Sequence, residues 1–127
     1  MADKIEIEKA IGAHGMWKSR LLQMVETGTA DTTAAAIRVD NQCVFGKWLY
    51  GSTLTAVDRT GAHYTTVKDL HAQFHVTAAK VAEHALAGRK AEAEKMLAMG
   101  GEYAEVSSKL TSAMMAWKKS LHEPVHA

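Results

Sequence analysis

Two histidines, His71 and His75, stand four residues apart. On a helix that spacing places one imidazole a turn above the other, so both rings can reach one metal ion. The pair falls in a run where Val67, His71, Phe74, His75, Ala78, Ala82 and Ala85 recur with helical periodicity, so both rings sit on an apolar stripe. A neutral imidazole on such a stripe needs a partner for each ring nitrogen. His14 repeats the anomaly. It occupies a core-facing position in the series Ile7, Ile11, His14, Leu21 and Val25. Cys43 is the only cysteine, and it is expected in the first turn of a short helix, where free N–H groups and the helix dipole favour a thiolate. Taken singly, a core histidine is usually satisfied by a neighbouring side chain or carbonyl, and a lone cysteine is usually a small buried hydrophobe. Taken together, three imidazoles and one thiolate form a complete tetrahedral donor set for Zn²⁺, with a donor softness that favours it over Mg²⁺ and Ca²⁺. Four protein ligands leave no open coordination position, which argues for a structural or sensory metal and against an enzyme.

The other histidines carry no such signal. His63 at the start of the long helix is expected to be exposed or to lie just behind the site. His84 is nine residues past His75 and falls on the opposite face. His122 and His126 belong to a C-terminal tail.

The elements that must position the four residues read as helices. Ala accounts for 22 of 127 residues, and the only Pro is Pro124, a composition suited to long helices. A first helix is expected from about residue 3 to 27, closed by Gly28, with Trp17 and Leu22 widening its apolar face and Lys18 an unexplained charge along it. Residues 29–42 read either as a loop or as a loop with a short helix over 33–38. Asp40 and Asn41 offer N-cap chemistry for a helix over 42–50. Gly46 inside that helix costs roughly 1 kcal/mol relative to Ala, which points to close approach of another backbone. A short helical turn or an ordered loop over 54–60 precedes the long helix, expected over 62–87 with Gly88 as its stop. An amphipathic segment over 89–99 and a last helix carrying Tyr103, Val106, Leu110, Met114, Trp117 and Leu121 complete an all-α antiparallel four-helix bundle with additional short helices.

Composition narrows the function. Fifteen Lys+Arg against fourteen Asp+Glu leave a net charge of +1, which gives no electrostatic case for nucleic-acid or membrane-surface binding. No apolar run approaches the roughly 20 residues of a membrane-spanning helix. The charged N-terminus does not read as a signal peptide, and one cysteine cannot form an intramolecular disulfide, so a cytoplasmic location is expected. The length suits one domain over 1–127, with its core at about 5–121 and a tail at 122–127. No Gly-rich phosphate loop, Ser/His/Asp order or paired-carboxylate site stands out.

Ala10-Ile11-Gly12-Ala13-His14 through Trp17, then Cys43-Val44-Phe45-Gly46-Lys47-Trp48-Leu49, then His71-Ala72-Gln73-Phe74-His75 resembles the chemoreceptor zinc-binding (CZB) domain family. The Cys-x-Phe-Gly-x-Trp block is the specific part, and Gly100-Gly101-Glu102-Tyr103 with Ser107 is similar to the family's last helix. The resemblance implies a bacterial cytoplasmic sensor found on chemoreceptors and diguanylate cyclases, homodimeric, with one Zn²⁺ per chain held by His14, Cys43, His71 and His75. It assigns Phe45, Gly46 and Trp48 to packing, and it includes members linked to oxidant sensing. Two other readings compete: a purely structural zinc site in a small adaptor, and a hemerythrin-type di-iron bundle. The second lacks the carboxylates it would need beside His71 and His75.

Overall fold

The computed structural model describes residues 4–41 and 43–121. Seven helices follow in order: α1 (Lys4–Thr27), α2 (Ala34–Arg38), α3 (Val44–Tyr50), α4 (Ala56–Thr60), α5 (Ala62–Leu86), α6 (Lys90–Leu97) and α7 (Glu102–Ser120), with no strand among the described residues. The all-α bundle expected from the periodicity is the fold found. Three helices are long. The fourth main helix, α6, is only eight residues, because Met99 and Gly100 lie past its C-cap rather than inside it.

The central element is α5, which packs against α1, α2, α4, α6 and α7. Its stripe explains this. Val67, Phe74, Ala78, Ala79, Val81 and Ala82 are fully buried, and the small alanines let neighbouring helices approach closely. The α7 stripe is likewise buried at Tyr103, Leu110, Met114 and Trp117. On α1 the face is Ile7, Ala10, His14, Leu21, Met24 and Val25. Leu22 does not widen it, as expected from sequence, but stays 40% exposed. Met24 takes that place in the core, and Lys18 faces solvent.

Helix ends are set locally. Gly28 adopts φ 71° and its N–H donates to the Met24 carbonyl, closing α1. Thr33 caps α2 through its side chain, which accepts from the Ala36 N–H. The start of α3 corrects the sequence reading. Cys43 itself is the N-cap, its sulfur accepting from the Gly46 N–H, and α3 begins at Val44. Asp40 and Asn41 instead form the segment against which α3 leans. A Cβ at Gly46 would stand 1.8 Å from the Asp40 carbonyl oxygen, so the expected backbone approach is real and its partner is the residue 40–41 segment. Gln42, the expected first residue of this helix, lies outside the described residues. So do Asp3, the expected first residue of the first helix, and His122, Pro124 and His126.

No described helix is long and apolar enough to cross a membrane.

Candidate metal centre

Helix α1 brings His14, the N-cap of α3 brings Cys43, and two successive turns of α5 bring His71 and His75. One donor atom from each lies within 4.8 Å of all the others. All four residues singled out from sequence therefore converge. The three histidines are buried, at 5%, 0% and 3% exposure, and Cys43 is half-buried.

The separations among His71, His75 and Cys43 match one ion. Bonds of about 2.0–2.1 Å to nitrogen and 2.3 Å to sulfur give tetrahedral edges of about 3.3 Å between nitrogens and about 3.6 Å between nitrogen and sulfur. His71 Nε2 and His75 Nε2 are 3.2 Å apart. Cys43 Sγ lies 3.4 Å from the first and 3.6 Å from the second. His14 Nδ1 donates to the Ala10 carbonyl at 2.7 Å, and its Nε2 is buried with no protein partner. His75 Nδ1 donates to the Ile37 carbonyl at 2.8 Å. A carbonyl oxygen only accepts, so both rings carry their proton on Nδ1 and present a lone pair at Nε2. The donor set, its spacing and an otherwise unpaired buried nitrogen all fit Zn²⁺. Among the described residues no carboxylate belongs to the cluster, unlike the bridging carboxylates a di-iron site uses.

Burial sets the protonation. Desolvation lowers His14 to about 4, opposed by its bond to Ala10. Desolvation and the neighbouring His75 and His14 lower His71 to about 2. His75 is lowered by desolvation, against the pull of the Ile37 carbonyl and Asp40. These rings are neutral and ready to bind at neutral pH. Cys43 differs from the expectation of a dipole-favoured thiolate. Desolvation raises its thiol, and the N–H groups of Gly46, Phe45 and Cys43 itself only partly offset that. The fold by itself therefore favours the neutral thiol.

These shifts fix the sign of an acid effect. Imidazoles held below their ordinary value are neutral in the fold and take up protons when it opens. Below the unfolded value of about 6.5 the unfolded chain binds more protons, and stability falls with falling pH. Urea unfolding of the metal-free protein should show a loss of about 1 kcal/mol or more per pH unit between pH 6 and 5. A flat profile there would contradict the burial of these rings.

Sequence reading did not find the parts that orient the site. Ile37 of α2 supplies a carbonyl, and the Arg38–Glu83 ion pair ties α2 to α5. A backbone acceptor leaves no residue-type signature, and only the apolar Ile37 before Arg38 marked that segment. His63 is exposed, and His84 accepts from Arg89 Nε at 2.9 Å, so neither joins the site.

A helical bundle that gathers three imidazoles and one cysteine sulfur at one point has the donor set of a metal-holding domain. The chain belongs to the chemoreceptor zinc-binding domain family, whose model matches residues 14–82. That span runs from His14 through Cys43, His71 and His75, and α7 lies beyond it. No curated protein and no solved structure matches the chain.

Proposed function

We propose that this domain is a cytoplasmic bacterial sensor that holds one Zn²⁺ per chain through His14 Nε2, Cys43 Sγ, His71 Nε2 and His75 Nε2. It acts as a homodimer and passes its state to a chemotaxis or cyclic-di-GMP output. The observation that carries the reading is the convergence of those four donors from three elements within 4.8 Å. Bound zinc supplies positive charge that keeps Cys43 a thiolate and draws four donors together. The chain's own part is positional. Ala10 and Ile37 carbonyls hold two rings in the ligating tautomer. Phe45 shields the site, edge-on to His71 at 5.2 Å. Because α1, α3 and α5 each contribute donors, occupancy biases how these helices sit against one another. A sensory or regulatory role, with no catalysis, follows from a donor set that fills the metal's coordination.

Two features support the finer reading. Met115 is 58% exposed and Ala116 is also exposed on α7, a face open to a second copy. A cleft of about 500 Å³ is lined by His14, Trp17, Cys43 and Phe45 among others. Hypochlorous acid arriving there would convert the thiolate to the sulfenic acid, RS⁻ + HOCl → RSOH + Cl⁻, and weaken one ligand. The test is zinc titration of metal-free protein with hydrogen exchange and light scattering. Zinc is expected to slow exchange in α1, α3 and α5 at one equivalent per chain, in a particle of two chains. Unchanged exchange in all three helices would overturn the sensing role.

A further inference from the structure

A second cleft, of about 330 Å³, is lined by Lys18 of α1 and by Tyr103, Ser107, Ser108, Thr111 and Ser112 of α7, among others. None of the four metal donors lines it, and α7 falls outside the span that the family model matches. Lys18 is the charge that the apolar face of α1 left unexplained.

The polar lining is one ammonium and five hydroxyls, with no Asp or Glu among the described residues. Ser and Thr on a helix can spend the hydroxyl on the carbonyl four residues back. Thr27 and Thr65 do so, on Gln23 and Gly61. Ser108, Thr111 and Ser112 do not, and no other described group hydrogen-bonds their hydroxyls. Lys18 has no carboxylate partner among the described residues. Tyr103 is the sharpest case. It is 2% exposed, and its hydroxyl is buried without a hydrogen-bond partner, a state that costs free energy until an acceptor or donor is found. That hydroxyl lies close enough to Ser107 for the serine to act on its ionisation, yet the two are not hydrogen-bonded.

We propose that this cleft binds a small molecule through an oxyanion, a carboxylate or a phosphate, held by Lys18 and the serine and threonine hydroxyls of α7. The lining offers a positive charge and several O–H donors with no carboxylate to compete, so a charged acceptor suits it better than a neutral polyol. Ser107 can donate to the oxyanion and accept from Tyr103 at once. The buried phenol then gains its partner when the ligand arrives, and each bond in the chain strengthens the next. The volume lies at the small end of ligand pockets, which suits a compact metabolite. The site gives the domain a ligand-binding function that does not involve zinc.

Amide ¹H–¹⁵N spectra of the full chain test this, with inorganic phosphate and acetate titrated separately at constant ionic strength. Saturable shifts confined to the cleft, at residues 104–112 and around Lys18, are expected with at least one of them. The anion that saturates at the lower concentration identifies the group. Lys18→Met should weaken that binding about tenfold or more, and Ser107→Ala about fivefold. Tyr103→Phe should weaken it about threefold, yet unfold at the same urea concentration as wild type or a higher one, because an unpaired buried hydroxyl is removed. A Tyr103 that only packs the core would leave binding unchanged. No saturable shift with either anion overturns the proposal, and so does equal binding by wild type and Lys18→Met. Glycerol that saturates the same amides as tightly would make this a polyol site and overturn it too. Shifts that follow protein concentration rather than added anion would assign the face to a second copy, against the proposal. The wild-type titrations decide even if a variant fails to fold.

Discussion

Cys43→Ser is expected to lower zinc affinity by about 100-fold or more while leaving the metal-free protein almost as stable as wild type. The separation follows from two roles carried by one atom. Sγ sits 3.4 Å and 3.6 Å from two imidazole nitrogens, and it also caps α3 by accepting from the Gly46 N–H at 3.3 Å. Serine is a good N-cap, so the helix start survives. Its neutral hydroxyl is a poor replacement for thiolate at zinc. Removal of a ligand exceeds the 10–100-fold that loss of an outer partner costs. At zinc 100-fold above the wild-type Kd, wild type gains about 2.7 kcal/mol, equivalent to a rise of roughly 10 °C in Tm for a domain this size. The serine variant should lose most of that rise. His75→Ala should lose it too, and should also weaken the metal-free fold by about 1–3 kcal/mol, because the Ile37 carbonyl is left without its donor. Thermal melts of the three proteins with and without zinc check both statements. A serine variant that melts with the full zinc-dependent rise would remove Cys43 from the ligand set.

Gly46→Ala should be the most damaging single-methyl change in the protein. The added Cβ meets backbone, with the Asp40 carbonyl oxygen at 1.8 Å, its carbon at 2.8 Å and the Asn41 Cα at 3.0 Å. None of these is a flexible side-chain tip. Helix α3 must move away from the residue 40–41 segment, and the Cys43 N-cap moves with it. The cost is expected to reach about 3 kcal/mol or more, with a loss of zinc affinity beside it. Gly12→Ala is the control. Gly12 lies within α1 and its Cβ would meet nothing within 4 Å, so Ala there should stabilise by about 0.5–1 kcal/mol. Denaturant unfolding that shows equal effects for the two would contradict the packing of α3.

The site was legible because its residues violate the pattern that surrounds them. His14, His71 and His75 take positions where the helical period calls for hydrophobes, and all three are buried at those positions. Cys43 was legible only in combination, since its half-buried N-cap position leaves no periodic trace. The long helices α1, α5 and α7 followed from stripes of about five turns or more, and the ends of α1 and α5 lie within about a residue of the expected ones. The short elements were harder. The Asp40–Asn41 pair carries capping chemistry, yet the cap is Cys43, because the backbone of that pair is already engaged against Gly46. Leu22 was misplaced because α1 turns Met24 inward instead. The orienting carbonyls of Ala10 and Ile37 were invisible for a simple reason: every residue has a carbonyl, and only the fold aims one.

X-ray absorption at the zinc edge of protein loaded with one equivalent tests the central claim most directly. The account predicts a first shell of one sulfur at about 2.3 Å and three imidazole nitrogens at about 2.0–2.1 Å, with the sulfur lost in Cys43→Ser. A shell of light atoms alone in the wild type, or water in place of any imidazole, would contradict it.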